Sequence, residues 1–289
     1  MTGDVMPAEV TADGARVAEL TASFVTLSGA GFAEPARHPF EVRCAAAAGA
    51  GFAGIGLHAD DPGTDVEVLR AHGLKATELE FLSGWVTGPD GVVPESETER
   101  RLYALADGSG VAAGGHLSAG ELAPYNREFD LAVGARRLAA VCRRAARHGL
   151  TVAVEAFPWS PISDIRTARA LVEQSGADNA GLLIDVWHFY NCGATADDLD
   201  GISPHRIAAV QLNDGPRVTG GDLRHQARTT RFLPGEGDLD VAGLIRRIRA
   251  TGYSGPYCVE VNHPAWRGLS ADEAAHRAYT AARRLLDSV

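Results

Sequence analysis

The sequence of 289 residues is short of cysteine, of basic residues and of long apolar runs, and each shortage excludes a class of protein. Its four cysteines lie far apart without a CxxC pair, which argues against a disulfide or zinc framework and favours a reducing compartment. Lys and Arg number 27 against 37 Asp and Glu, so the formal charge of -10 disfavours nucleic acid and anionic membranes as partners. No apolar run reaches the roughly 20 residues that a membrane-spanning helix needs.

The N-terminus also lacks a secretory signal, because residues 1–20 carry four acidic side chains and no basic start followed by an apolar run. We therefore expect a cytoplasmic protein. What the chain does have is 45% hydrophobic and 22% charged residues, the composition of a folded globular protein. No linker or low-complexity segment divides it, so we predict a short N-terminal extension, residues 1–20, and one domain over residues 21–289.

Eight short apolar runs are typical of buried strands, and helical patterns follow most of them. The runs are residues 23–27, 53–57, 76–80, 111–114, 151–155, 181–185, 207–212 and 256–261. Their mean separation of roughly 33 residues is about the length of a βα unit. This favours an α/β fold of the (β/α)8 barrel type, with an open doubly wound sheet as the alternative. Helices are predicted over residues 128–148, 165–175, 241–250 and 271–287, and a long polar loop over residues 213–239.

Polar side chains stand at or near the ends of four of these runs, where a barrel of this type has its active site. Glu155 and Asp185 each end a run, and Gln211 and Glu260 lie near the ends of the last two. Burying a lone carboxylate is costly unless a cation compensates it, so the converging set predicts one divalent metal ion. Carboxylate and amide oxygens favour Mg2+ or Mn2+, whereas a contribution from His188 would bring in Co2+ or Zn2+.

Other polar and aromatic residues near the strand ends are candidates for substrate contacts. Glu80, His58 and His116 are placed to line the same mouth, with a structural or solvent-exposed role as the alternative. Trp187 is one of four tryptophans that closely follow predicted strands. It suits an aromatic wall above the metal, and packing against the outer helices is the alternative.

The predicted loop over residues 213–239 is the most basic stretch of an otherwise acidic chain. Such a stretch attracts an anionic substrate, although a simply solvated loop is the alternative. Its basic residues are Arg217, Arg224, His225, Arg228 and Arg231.

Five segments of the second half carry a family resemblance. They are VEAFPWSP (154–161), GLLIDVWHFYNCG (181–193), VQLNDGP (210–216), RFLPGEGDLD (231–240) and GYSGPYCVEV (252–261). Together they resemble the sugar phosphate isomerase/epimerase superfamily, the xylose isomerase-like TIM barrels. In the first half only GFAGIGLH (51–58) and ATELEFLSGW (76–85) are similar to the family.

This resemblance implies roles for individual residues. Glu155, Asp185 and Glu260 fall on metal-ligand positions, and Gln211 stands where ketose 3-epimerases have histidine. Glutamine at this position is similar to hydroxypyruvate isomerases and 3-dehydroshikimate dehydratases, so the resemblance leaves an isomerase and a lyase both open. His188 matches a position that contacts a substrate oxygen, and Arg217 lies where some members have a substrate-binding arginine.

These residues suit a reaction at the carbon next to a carbonyl group. A divalent ion chelated by a substrate carbonyl and hydroxyl makes the neighbouring C–H acidic and stabilises the enediolate. Glu155 and Glu260, from different strands, would remove and return the proton. We predict a metal-dependent isomerase or epimerase that acts on a small, sugar-like hydroxy-carbonyl substrate. A dehydratase, with His188 as proton carrier, is the second interpretation.

Two further classes of protein compete with this enzyme. A DNA-repair endonuclease on the same barrel would need more His and Glu for several zinc ions and a basic face, and the sequence lacks both. A non-catalytic sugar-binding barrel would keep the fold without needing the set of strand-end carboxylates and amide. We expect a small-molecule partner, neither nucleic acid nor membrane, and leave association of identical chains open.

Overall fold

Eight parallel strands, numbered β1 to β8 in chain order, close into a barrel in which β8 pairs with β1. The structure is a computed structural model that describes residues 18–289 apart from 33, 62, 88–92, 110, 112–114 and 123–127. The strands span Leu20–Ala22, Gly54–His58, Lys75–Leu82, His116–Ala119, Thr151–Glu155, Ala180–Asp185, Ile207–Leu212 and Tyr257–Val259. The predicted (β/α)8 barrel is confirmed and the open doubly wound sheet is wrong. The boundary near residue 20 stays a prediction, because residues 1–17 lie outside the described part.

Helices pack around the barrel between its strands. Those of the described residues, α1 to α10 in chain order, span Phe24–Leu27, Phe40–Ala50, Val66–Ala71, Glu97–Ser109, Leu131–Ala145, Ile165–Ser175, Val186–Asn191, Leu223–Ala227, Val241–Ala250 and Ala271–Asp287. Three of them, α6, α9 and α10, have the predicted bounds. The side chains of Asp164, Asp240 and Ser270 accept a backbone N–H at the start of these three helices, as capping residues do. No helix of the described chain is both long and apolar enough to cross a membrane.

Two of the predicted strands are wrong, and each error has a local cause. The run at residues 23–27 is mostly the buried helix α1, and β1 lies just before it. A short apolar run that is buried on all sides suits a strand or a helix equally well, so periodicity does not separate the two. The prediction at residues 111–114 falls mainly on positions outside the described residues, whereas β4 is His116–Ala119. Because β4 contains a histidine and a serine, it does not form an apolar run.

Alternation along β5, β6 and β7 sends every second side chain into the barrel. Ala153, Leu183 and Ala209 form a small apolar cluster there, which we call the inner apolar layer. Their neighbours along the strands, such as Val152 and Val154, belong to the large core between strands and helices. The next inward position on each of these three strands is polar, so the inner apolar layer lies directly below the candidate site.

Candidate active site

The four polar residues predicted from the strand ends meet inside the barrel. Glu155, Asp185 and Gln211 take the inward positions that follow the inner apolar layer, and Glu260 comes directly after β8. All four are at most 5% exposed. Glu155, Gln211 and Glu260 line a cavity of about 320 Å³, which is enough for a small molecule. Period-two alternation is therefore what brings these side chains to one place.

Asp185 ends β6 and also caps α7, which begins at the next residue. Its Oδ1 accepts a hydrogen bond from the backbone N–H of His188 at 2.8 Å, and this bond fixes the histidine beside the site. Its Oδ2 accepts from Nδ2 of Asn213 at 2.6 Å and from Nη1 of Arg231 at 3.0 Å. The Asp185 carboxylate thus links the end of β6, the start of α7 and Arg231 of the site.

A buried arginine lies among the acidic side chains. Arg231 donates through Nη1 to both Asp185 and Glu260, and through Nη2 to Nε2 of His188 at 2.7 Å. Because a guanidinium only donates, Nε2 of His188 accepts and its ring proton is assigned to Nδ1. Burial acts to lower the pKa of Arg231, but the carboxylates around it hold that pKa above its usual value. Arg231 is therefore a cation that belongs to the site.

The loop after β7 folds back to bring Arg231 into this position. Asp214 and Phe232 form an antiparallel bridge, so residue 231 comes to lie beside the end of β7. The buried carboxylate of Asp214 accepts from the backbone N–H of Gly235 at 3.0 Å and of Leu239 at 3.2 Å. These bonds hold the segment after Arg231 against the barrel.

Glu78 of β3 is a further acidic residue of the barrel interior, and it orients the side-chain amide of Gln211. The amide nitrogen of Gln211 donates to Glu78 at 3.0 Å and to Glu260 at 3.2 Å. Glu78 also accepts from Ser118 at 2.6 Å and lies 3.2 Å from Nε2 of His116. Burial acts to raise the pKa of Glu78, but the hydrogen bond from His116 and its charge bring that pKa below its usual value. Oε1 of Gln211 is then left buried, without a hydrogen-bond partner among the described residues.

Burial and mutual repulsion raise the pKa values of the two candidate catalytic acids. Burial raises the pKa of Glu155 well above its usual value, and Glu260 and Asp185 add to the shift. Burial raises the pKa of Glu260 to about 8, although Arg231 opposes the change. With a pKa of about 8, the Glu260 carboxyl keeps its proton near neutral pH, which is unusual for glutamate, and the pKa of Glu155 is shifted in the same direction.

The donor set suits a divalent cation. When they are ionised, Glu155, Asp185 and Glu260 supply hard oxygen donors with more negative charge than Arg231 neutralises, and the unpaired Oε1 of Gln211 adds a neutral oxygen. As the side chains are placed, no three His, Cys, Asp or Glu of the described residues come close enough to share one ion. Arg231 holds two of the oxygens that an ion would take. The donor types therefore fit a divalent ion, and binding of one would require Arg231 to release these oxygens.

His188 lines the cavity between aromatic rings. Its ring lies 4.7 Å from that of Phe157 and 5.3 Å from that of Trp159, centroid to centroid. Burial lowers the pKa of His188 well below its usual value, and the charge of Arg231 lowers it further. Its Nε2 is 3.8 Å from Oε1 of Glu155. The imidazole is therefore neutral, and it acts through hydrogen bonds rather than charge.

Two of the remaining predicted contact residues line the same cavity. Glu80 is one of them; its Oε1 accepts from the backbone N–H of Phe24 at 3.1 Å, and burial raises its pKa well above the usual value. His58 is the other; it is half-buried, and burial lowers its pKa. Both therefore share the cavity with Glu155, Gln211 and Glu260.

Three other predicted contact residues are not among the described residues that line the cavity. His116 contacts Glu78 inside the barrel. Trp187 is buried and packs edge-on against His188, with ring centroids 5.3 Å apart. The guanidinium of Arg217 lies 5.1 Å from the ring centre of Tyr190, on an exposed part of the loop.

Three residues of the site, Glu78, Asn213 and Arg231, are not identified as site residues from the sequence alone. Two of them could have been found from the two-residue period of a strand, which places alternate side chains on the same face. Glu78 lies two residues before Glu80, and Asn213 lies two residues after Gln211. The sequence places Arg231 only in a basic loop. Its position depends on the bridge between residues 214 and 232, for which no local pattern exists.

Comparison with known proteins agrees with the barrel fold. The family model described as a xylose isomerase-like TIM barrel matches residues 44–288. An inosose isomerase from Halalkalibacterium halodurans is 30% identical over 132 residues, which are 45% of this chain and 46% of that protein. A 3-dehydroshikimate dehydratase from Pseudomonas aeruginosa is 30% identical over 128 residues, 44% of this chain and 20% of that protein. The matched segments cover less than half the length of either relative.

Solved structures share the fold. A xylose isomerase domain-containing protein from Salmonella typhimurium superposes with a TM-score of 0.76 at 17% identity, covering 98% of this chain and 100% of that chain. An IOLI protein with a bound zinc atom gives a TM-score of 0.75 at 16% identity, covering 93% of this chain and 98% of that chain. At such identities the likeness concerns the fold alone.

Proposed function

Because the chain belongs to the xylose isomerase-like TIM barrel family, we propose that it is a divalent-metal-dependent isomerase or epimerase of a small, sugar-like hydroxy-carbonyl compound. One observation carries the proposal. Glu155 and Glu260 come from opposite ends of the second half of the barrel, line one cavity and have raised pKa values. Two carboxyl groups whose pKa values are raised can remove a proton from a substrate carbon and return one.

The proposed metal ligands are Glu155, Asp185, Gln211 and Glu260. We expect Mg2+ or Mn2+ from the oxygen donors, and the neighbouring imidazole of His188 makes Zn2+ or Co2+ the alternative outcome. When bound, a divalent ion polarises a carbonyl group and makes the adjacent C–H more acidic.

The other residues of the cavity have supporting roles in this proposal. Arg231 places its positive charge beside Glu260, where it stabilises negative charge that develops on a substrate oxygen. His188, neutral and with its proton on Nδ1, contacts a substrate hydroxyl. The rings of Phe157 and Trp159 give the cavity an apolar wall that limits access of water.

A dehydratase is the second candidate, and the raised pKa of Glu155 favours it. Elimination of a β-hydroxyl needs a proton donor for the leaving oxygen. The raised pKa favours the protonated form of Glu155, and its Oε1 lies 3.8 Å from Nε2 of His188, so the proposed proton donor lies next to the residue that is proposed to contact the hydroxyl. The similarity to a 3-dehydroshikimate dehydratase supports the same candidate.

Incubation in D2O with Mn2+ and a panel of ketoses, hydroxypyruvate, inosose and 3-dehydroshikimate tests both candidates. An isomerase or epimerase incorporates deuterium at carbon and keeps the skeleton intact, whereas a dehydratase releases water and forms a double bond. Glu260→Gln should abolish either outcome, and Glu173→Gln, which removes an exposed carboxylate of α6, should not. Full activity of Glu260→Gln would remove this residue from the catalytic role.

The metal content of the purified chain tests the proposal separately. We expect about one divalent ion per chain, which Asp185→Asn loses because one anionic ligand is gone. Absence of metal from both proteins after reconstitution, together with no deuterium incorporation, would identify a non-catalytic binding barrel instead.

A further inference from the structure

Two arginines line the outer part of the cavity that holds the acids. Arg224 belongs to α8 and Arg228 comes directly after that helix, and both are half-buried in the lining. Residues four apart on a helix face the same side, so the two guanidinium groups come from one surface. The acids Glu155 and Glu260 are buried deeper in the same cavity. The cavity therefore has an acidic interior and a basic entrance.

The charge of Arg228 is only partly compensated by the protein that surrounds it. In the described part of the chain its side chain has no hydrogen bond or ion pair, whereas its neighbour Arg267 donates to Asn262 at 2.9 Å. Burial, followed by the charges of Arg224 and Arg267, lowers the pKa of Arg228, although the charge of Asp222 acts in the opposite direction. Asp60, an acid on the same rim, pairs with Arg101 at 2.5 Å rather than with Arg228. A half-buried cation next to other cations favours an anionic ligand.

We propose that Arg224 and Arg228 form an anion subsite, and that the substrate carries a carboxylate or phosphate group at the end opposite its hydroxy-carbonyl group. This inference rests on the proposed function and names the substrate class of that site. The arginines attract the anionic end to the entrance of the cavity, and this attraction orients the substrate. A neutral polyol ketone carries no anionic group that could pair with Arg224 or Arg228.

Binding of non-reacting cyclic ligands tests the subsite without any turnover. The probes are shikimate, which carries a carboxylate, myo-inositol 1-phosphate, which carries a phosphate, and neutral myo-inositol, each titrated calorimetrically into the full chain with Mg2+ present. We expect at least one anion to bind about tenfold or more tightly than myo-inositol, since a charged hydrogen bond is involved. The tighter of the two anions identifies the group that the substrate carries.

Substitution of each arginine tests whether the anion preference comes from this subsite. Arg228→Met should weaken binding of the preferred anion about 10- to 100-fold and leave the affinity for myo-inositol unchanged, and Arg224→Met should act in the same direction. Arg246→Met, which removes an exposed charge on α9, is the matched control for net charge and should bind as the unchanged chain does. Thermal melting of each variant checks that it is folded.

Four results would overturn the subsite. These are equal affinity for all three probes, no binding of either anion, an anion preference that survives Arg228→Met, and a loss of anion affinity that appears only in Arg217→Met. Deuterium incorporation into a neutral ketone together with any of these results would leave the proposed function standing and reject only the anionic substrate. Anion binding without deuterium incorporation into any compound would support the anion subsite and reject the proposed isomerase or epimerase.

Discussion

Binding of a divalent cation should release protons, and its affinity should therefore rise between pH 6 and pH 8. The pKa of Glu260 is raised to about 8, so this carboxyl is protonated at lower pH, whereas a metal ligand must be ionised. A group of that pKa is about 1% ionised at pH 6 and about half ionised at pH 8. Competition with this one proton therefore makes the apparent affinity for the ion about 50-fold weaker at pH 6 than at pH 8. The raised pKa of Glu155 makes the dependence steeper in the same direction.

Calorimetric titration with Mn2+ measures this coupling directly. Titrations in pairs of buffers that differ in ionisation enthalpy give the number of protons released per ion. Glu260→Gln should lower that number by about one at pH 6.5, because it removes one titrating ligand. Glu173→Gln, an exposed carboxylate paired with Arg169, should leave it unchanged. An affinity that is constant from pH 6 to pH 8, with no proton released, would refute the assignment of these acids as ligands.

Three other substitutions probe separate parts of the same structure. Arg231→Met leaves buried carboxylates without their cation and should lower the free energy of unfolding by about 3 kcal/mol. Mn2+ should then raise the melting temperature of this variant more than that of the unchanged chain, and equal shifts in melting temperature would contradict the role of Arg231 as their cation. Glu78→Leu removes the acceptor of the Gln211 amide and should weaken Mn2+ binding about 10- to 100-fold in the same titration, so an unchanged affinity would show that this orientation does not matter. Leu183→Ala removes the largest side chain of the inner apolar layer and should lower the free energy of unfolding by about 2 to 5 kcal/mol in urea denaturation; a loss below about 1 kcal/mol would mean that this layer is loosely packed.

Predictability of the fold from sequence depends on whether a segment carries its own local signal. The strands β5 and β7 and the helices α6, α9 and α10 each combine a clear period with a capping residue or a sharp boundary, and their bounds agree with the structure. The strand β1 has only three residues, and the apolar residues after it fold as a helix. Here tertiary burial decides between strand and helix, and composition does not.

The candidate site divides in the same way. Glu155, Asp185 and Gln211 could be placed together because each occupies the same phase of a strand in a known barrel geometry. Arg231 could not, since its place depends on a loop that folds back through Asp214. The direction of the Gln211 amide likewise depends on Glu78, which is 133 residues away in the sequence. Contacts between distant segments leave no periodic trace in the chain.

The corner between β6 and α7 limits how this barrel can change. No residue separates the strand from the helix, because Asp185 ends one and Val186 begins the other. An insertion here would move the carboxylate away from the helix start or away from Arg231, so the corner does not tolerate a change of length. The corner after β7 is different, because ten residues lie between Leu212 and the start of α8 at Leu223. Efforts to give the protein a new substrate range should therefore alter residues 216–222 and leave residues 185–191, Asn213 and Asp214 unchanged.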